Sequence, residues 1–556
     1  MAKDNRYSDE RSFIKFVEDS IRKNWNYESL TDYKGETMKY SDVARRMAEL
    51  HVIFEHIGVK RGDKIALCGK NSSHWGVVFL ATLTYGAVSV PILNDFKPDN
   101  IHNIVNHSDS VLLFVGENVW ENLDESKMPN LKGIISINTF KMLVSGTSAL
   151  DKAYDNLNLL FGKKFPKEFG VNSISYEHDR PDDLAYISYT SGTTGFSKGV
   201  MIPYRSLWSN LRFAQDNMPI SSGDNHVCML PLAHAFGLMF SFLFEFVSGT
   251  HVFFLTRVPS PKIIFAAYAD IRPNLIITVP LIVEKVVRQA IFPKLASRKV
   301  KMMLKTPILR RKVLNGIRKK MEQLFGGNMI ELVIGGAALS EDVENFLRVI
   351  RFAYTVGYGM TECGPLIAYS ASATFKKSSS GRPVDNMEVK IDSPDGENVV
   401  GEILVKGMNV MQGYYKNPDA TEQVLMPDGW MRTGDLGVMD GAGNITIRGR
   451  CKNMILGPSG QNIYPEEIED KLNTLPYVAE SIVVQQGGKI VALIHPDYEL
   501  AIKKGLSSTE VELQMDANRK TLNQQIPNFC QVASVKIFPE EFEKTPKRSI
   551  KRYLYS

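Results

Sequence analysis

The sequence predicts an α/β protein with a large N-terminal domain of βαβ-type sheets packed with helices, a small β subdomain, and a small α+β C-terminal domain. Three observations carry this prediction. Short apolar strands alternate with helical stretches through roughly the first four hundred residues. After Met387 the pattern becomes short alternating strands joined by turns, and a new helix-containing unit begins at Lys452. The 556 residues, 44% hydrophobic and 23% charged, suffice for two or more domains of globular composition.

The first element group is "DKIALCG" (63–69), "SSHWGVVFLATLTYGA" (72–87) and "VSVPI" (88–92). It predicts a βαβ unit, with Ser72 capping the helix and Gly86 at its end. Further buried strands are predicted in "LAYISYT" (184–190), "NLIITVP" (274–280), "MIELVIGG" (329–336) and "AYTVGYG" (353–359), each leading into a loop rich in Gly, Ser or Thr. Ligands of open α/β sheets collect at such strand ends. The stretch "AHAFGLMFSFLFEFVSGTHVFFL" from Ala233 is interrupted by Glu245 and by Ser248-Gly249-Thr250, so it predicts a buried helix and strand rather than a membrane span. Strands "MEVKID", "GEILVKG" and "GNITIRG" form the β subdomain. Pro465 opens a helix in the last unit, followed by strands near 478–486 and 489–495, a helix near 508–526 and a strand near 531–538. The domain boundary falls at Arg450-Cys451-Lys452, giving domains 1–450 and 451–556.

Composition narrows the setting. Five scattered cysteines without a CxxC pair argue against a disulfide framework or a structural zinc site and for a reducing compartment. The first 25 positions mix charges and lack an apolar core, so no secretory signal is predicted and the expected location is cytoplasmic. The net charge of +5 is uneven: 13 Lys and Arg and no acidic residue lie between Lys285 and Lys320, and without them 53 basic residues face 61 acidic ones. This segment reads as a pair of solvated amphipathic helices, with an anionic membrane surface as the alternative partner. Nucleic acid is disfavoured, because no aromatic stacking set accompanies the charge.

One stretch carries chemistry on its face. "YTSGTTGFSKGV" (189–200) packs glycines and hydroxyls behind a strand. Read alone it is a flexible loop or a phosphate cradle, in which backbone N–H groups, the hydroxyls of Thr190, Ser191, Thr193 and Thr194, and the Lys198 ammonium meet an anion. The GxxxxGK[ST] order of a Walker A loop is absent.

That stretch resembles the signature loop of the adenylate-forming superfamily, which includes acyl-CoA synthetases, peptide-synthetase adenylation domains and luciferases. The family's other motifs follow in its order: "LPLAHAFG" (230–237), "GGAALS" (335–340), "GYGMTECGP" (357–365), "RTGDLG" (432–437) and "RGRCKNMILGPSGQNIYPEEIE" (448–469). The resemblance implies a set of roles. ATP and AMP would meet Thr190, Ser191, Gly192, Thr193, Thr194 and Lys198 at the phosphates. Gly335, Gly336, Ala337, Gly357, Tyr358, Gly359 and Met360 would line the nucleotide and acyl pockets, with Tyr358 stacking on adenine. Asp435, Ile447 and Arg450 would surround the nucleoside, Asp435 and Arg450 at the ribose hydroxyls. Thr361 would touch the α-phosphate, and Glu362 with Thr194 would hold Mg²⁺. His234, Phe236 and Gly237 would gate the carboxylate and acyl channel. Lys452 would be the hinge about which the C-terminal domain swings, and Ser459 and Gly460 would lie on the coenzyme A approach.

The implied reaction joins a medium- or long-chain fatty acid to coenzyme A through an acyl-AMP, using ATP and Mg²⁺ and releasing AMP and pyrophosphate. Transfer to a carrier protein or another acceptor is the alternative. The implied partners are the fatty acid and, through residues 285–320, an anionic membrane at its inner face; nucleic acid is not among them, and a homodimer is admitted. The ending "FEKTPKRSIKRYLYS" (542–556) resembles the family's closing segment, but Ser549 stands where its catalytic lysine is expected. Lys547 and Lys551 are the substitutes in reach; an adenylation-impaired acyl- and nucleotide-binding relative is the remaining reading.

Overall fold

In the computed structural model, which describes residues 12–190, 198–257, 260–295, 297–456, 461–544 and 550–555, the first βαβ unit forms as expected. Strands Lys64–Cys68 and Val88–Ile92 pair in parallel around helix Ser73–Thr84. Ser72 caps that helix by accepting a hydrogen bond from the Trp75 amide, and Gly86 turns the chain out at φ +85°. Eleven of the twelve helical residues are buried, all but His74, so the helix is wedged between layers rather than laid on a surface.

These strands sit inside an eight-stranded sheet in the order Gly413–Tyr414, Lys198–Pro203, Leu184–Thr190, Val88–Ile92, Lys64–Cys68, Ser110–Val115, Gly133–Ser136 and Met142–Ser145. The centre is parallel, as the βαβ rhythm predicts, but both edges run antiparallel. The departure at Lys198 has a simple cause: the seven residues between Thr190 and Lys198 are too few for a parallel crossover, so the chain must return alongside.

A second sheet pairs Asn225–Cys228, His251–Phe254, Glu28–Asp32 and Thr37–Lys39, and a third, all parallel, pairs Leu275–Thr278, Glu331–Ile334 and Tyr354–Val356. The apolar stretch after Ala233 becomes the buried run Ala235–Ser248, whose middle, Met239–Leu243, widens into a π-helix. Strands Met387–Asp392, Gly401–Gly407, Met431–Met439 and Ile445–Arg450 form the antiparallel β unit.

Beyond residue 450 the chain has its own apolar core. Ile468 and Leu472 of helix Pro465–Leu472 pack with Met515 and Leu522 of helix Ser508–Asn523 against Val483, Ala492 and Ile494 of the sheet Val478–Gln486, Lys489–Pro496, Ser534–Ile537. This core meets the β unit where helix Pro465–Leu472 lies on strand Ile445–Arg450: Arg448 pairs with Glu467 at 3.3 Å, and a Cβ on Gly449 would lie 2.9 Å from Glu466 Oε2.

The basic segment is more broken than a pair of helices. It runs as Pro280–Val286, the π-helical Val287–Ile291, Phe292–Leu295, Arg298–Leu304 and Pro307–Leu324. Proline at the head of three of these pieces, or one residue within, allows each restart but not an unbroken helix through it. Among the described residues, no helix is long and apolar enough to cross a membrane.

Candidate active site

Open α/β sheets take ligands in a crevice at the carboxyl ends of their strands, and two loops leave the third sheet there. Because Glu331–Ile334 and Tyr354–Val356 run in parallel, "GGA" at 335–337 and "GYGMTE" at 357–362 leave the sheet at the same edge. The Gly335 amide donates to the Thr278 carbonyl at 3.0 Å and the Gly357 amide to the Ile334 carbonyl at 2.9 Å, so both loops are fastened to neighbouring strands. Gly336 and Ala337 are exposed beyond them.

At Gly335 the Phe236 ring occupies the place of a side chain. A Cβ on Gly335 would lie 2.8 Å from Phe236 Cζ, so glycine is what lets the ring lie flat against the loop. Phe236 comes from the short helix Ala235–Leu238, with His234 half-buried at its N-cap. Gly237 backs it so closely that a Cβ would meet the Pro231 carbonyl at 2.5 Å. The predicted gate residues and the predicted pocket wall are therefore in contact.

A second cluster forms where the third sheet meets the β unit. Strands Met431–Met439 and Ile445–Arg450 place Asp435 opposite Arg450, and Arg450 Nε lies 2.8 Å from Asp435 Oδ1. The Tyr358 hydroxyl donates to the other carboxylate oxygen at 2.8 Å. Burial pushes the Asp435 carboxyl up, Arg450 pulls it partly back, and burial beside Asp435 drives the Tyr358 phenol well above its ordinary range. Ile447, three residues before Arg450, is exposed on the same strand.

Sequence reasoning missed Tyr414. Its hydroxyl donates to Glu362 Oε1 at 3.0 Å, and the Lys198 ammonium lies 4.8 Å from its ring centre. The Met411 amide also donates to the Glu362 carbonyl at 2.8 Å. Tyr414 thus bridges the end of the signature loop to the acidic residue of "GYGMTE". No local motif marks "QGYYKNP"; its position follows from the edge pairing of Gly413–Tyr414 with Lys198–Pro203, a long-range contact. Thr190 and Lys198 face each other across the loop mouth.

Among the described residues no cluster of three His, Cys, Asp or Glu side chains can hold a metal by itself. Glu362 offers one half-buried carboxylate, which suits Mg²⁺ held mainly by phosphate and water oxygens. Gly359, Met360 and Thr361 complete the loop; a Cβ on Gly359 would strike the Pro365 carbonyl at 2.2 Å. Lys452 is exposed two residues after Arg450. Ser191, Gly192, Thr193, Thr194, Ser459, Gly460, Lys547 and Ser549 lie outside the described residues. Lys551 is held elsewhere: its ammonium pairs with Glu543 at 3.1 Å and its amide donates to the Glu543 carbonyl at 2.8 Å.

The chain is similar to known proteins over most of its length. A family model described as AMP-binding enzyme matches residues 17–415. A long-chain-fatty-acid–CoA ligase of Mycobacterium tuberculosis is 26% identical over 575 residues, covering 95% of this chain and 91% of that one. A protein of the same description from Escherichia coli is 27% identical over 526 residues, covering 89% and 87%. Among solved structures, an anthranilate CoA ligase in complex with anthranoyl-AMP superposes with a TM-score of 0.77 at 18% identity, covering 98% of this chain and 96% of that one. The o-succinylbenzoate CoA synthetase of Bacillus subtilis, with its acyl-adenylate, superposes at 0.74 and 19% identity, covering 97% and 98%.

Proposed function

The chain belongs to the AMP-binding enzyme family of adenylate-forming enzymes, and on that premise we propose that it joins a medium- or long-chain fatty acid to coenzyme A. The observation that carries this reading is the adjacency of two sites on one crevice: the Tyr358–Asp435–Arg450 cluster and the Phe236–Gly335 contact. The first suits a nucleoside, with an aromatic face for the base and a buried carboxylate for the ribose hydroxyls. The second suits an apolar chain entering past a ring that can turn aside. The names of the curated relatives support the fatty-acyl class.

In the first half-reaction a carboxylate oxygen attacks the α-phosphorus of ATP, the bond to the β-phosphate bridging oxygen breaks, and pyrophosphate leaves. Thr361 and Lys198 sit on the loops that bracket this charge, and Glu362, oriented by Tyr414, is the protein oxygen available to Mg²⁺. The ion would neutralise phosphate charge as it is redistributed. In the second half-reaction the thiol sulfur of coenzyme A attacks the acyl carbon, its proton passes to solvent, and the carbon–oxygen bond to AMP breaks. The unit beyond residue 450, with its separate core, turns about Lys452 between the two halves.

ATP–pyrophosphate exchange with saturated acids from butyrate to stearate tests the substrate class. Exchange that rises with chain length supports it; exchange only with an aromatic or dicarboxylic acid overturns it. Thioester formation with coenzyme A against a carrier-protein thiol then identifies the acceptor.

A further inference from the structure

We propose that the helical hairpin Arg298–Leu304 and Pro307–Leu324 is a docking element for an anionic lipid bilayer, with its turn inserted among the headgroups. Charge provides the first argument. Of the 13 basic residues from Lys285 to Lys320, only Arg288 and Arg318 form ion pairs among the described residues, with Asp342 at 2.8 Å and Glu322 at 3.5 Å. The remaining eleven are exposed. Such a field is repaid only by a partner of high negative charge density.

The second argument is apolar and narrows the partner. At the tip, Met302 is 69% exposed, Ile308 73% and Leu309 38%, directly beside Lys301, Lys305 and Arg310. A nucleic acid would neutralise the lysines but leave these side chains wet, whereas the headgroup layer of an anionic bilayer takes both. The hairpin is anchored at its far end, where Met321 and Phe325 are fully buried, so the tip projects from a fixed base.

The third argument is position. The helical run that feeds the hairpin starts at Pro280, immediately after Val279, whose Cγ1 lies 3.8 Å from the place of a Cβ on Gly336. Arg288 fastens this run to helix Glu341–Val349 through Ser340 and Asp342, and the Phe292 ring packs edge-on against Phe346 at 5.5 Å. Docking at the tip therefore ties the proposed acyl crevice, through this helical run, to the surface where long-chain acids partition.

Flotation of the full chain with vesicles of phosphatidylcholine, alone or with phosphatidylglycerol, tests the proposal at low and high salt. Expected are binding at least ~10-fold stronger to the anionic vesicles and its weakening by salt. Met302→Asp with Ile308→Asp abolishes flotation, as does Lys301→Glu with Arg310→Glu, while pyrophosphate exchange with a short soluble acid is unchanged in both. Equal flotation on neutral vesicles overturns the proposal. So does full binding by the Met302→Asp, Ile308→Asp variant, or displacement from vesicles by duplex DNA at equal phosphate concentration, which would assign the patch to nucleic acid.

Discussion

Arg450 and Asp435 are cross-strand partners, and the guanidinium Nε stands 2.8 Å from the carboxylate while the Tyr358 hydroxyl holds its second oxygen. One buried carboxylate therefore has both oxygens engaged before any ligand arrives. Hydrogen bonds to a charged group are worth about 1.5–3 kcal/mol each, so Asp435→Asn should weaken nucleotide affinity by ~10–100-fold. Asp435→Ala also strands the Tyr358 hydroxyl and should lower stability by about 1–3 kcal/mol. Adding Tyr358→Phe should restore part of that stability and none of the affinity, measured by urea unfolding and AMP titration; equal affinity in wild type and Asp435→Asn would remove Asp435 from the site.

The Phe236 ring and Gly335 make a second testable pair. Gly335→Ala forces the ring off the loop, since its Cβ would stand 2.8 Å from Phe236 Cζ. The displaced ring should narrow the channel and cut acyl-AMP formation from palmitate more than from octanoate, by ~10-fold. In the Phe236→Ala background the Gly335→Ala change should matter little. If both changes act independently of each other, the ring is not what Gly335 accommodates.

These residues also show where the sequence was legible. The strands at 64–68, 88–92 and 184–190 and the helix after Ser72 follow from apolar runs and caps, which are local signals. Asp435 and Arg450 were legible only through the resemblance, which named both at the ribose; their pairing on adjacent strands came from the structure. Tyr414 was not legible, because its neighbours Glu362 and Lys198 come from distant parts of the chain and meet it only through tertiary pairing. The antiparallel edges and the π-helical turns were equally hidden, since periodicity reports a buried face but not strand direction or a single added helical residue.

Glu469 sets a pH dependence. It is buried between the Val483 amide, which donates to it at 2.6 Å, and Arg552, and burial pushes its carboxyl up to about 7. The unfolded carboxyl titrates near its model value of 4.5, so the folded state holds the proton more tightly. This contribution to stability is full below pH 4.5 and is lost as pH rises through 7, amounting to about 3 kcal/mol. Glu469→Gln should remove that slope, gaining melting temperature relative to wild type from pH 5 to pH 8. Parallel profiles for the two proteins would rule the assignment out.

Lys452 lies at the start of the unit with a separate core, exposed and two residues after Arg450. Proline there restricts φ to about −65° and biases the preceding residue towards extended backbone. If the proposed turn about Lys452 serves the second step alone, Lys452→Pro should leave acyl-AMP formation within about threefold of wild type and slow thioester formation by ~100-fold or more. Single-turnover assays of each step separate them, and equal loss in both would count against a hinge at this position.

The closing segment gives the last prediction. Lys551 is committed to Glu543 through both its ammonium and its amide, and that pairing raises its pKa. Lys544 on the other side of "TPKRS" is likewise taken by Glu480 at 2.5 Å and Glu541 at 3.2 Å. To reach the α-phosphate, Lys551 must first leave its partner, which weighs against it; we propose Lys547, which lies outside the described residues, as the substitute for the lysine expected at Ser549. Lys547→Ala should reduce ATP–pyrophosphate exchange by ~100-fold, the scale on which one preorganised charge stabiliser acts, and Lys551→Ala by no more than a few-fold. Ser549→Lys should leave the wild-type rate roughly as it is. A Ser549→Lys variant that alone is active, with wild type and both alanine variants silent, would instead identify a nucleotide- and acyl-binding protein in which adenylation has been lost.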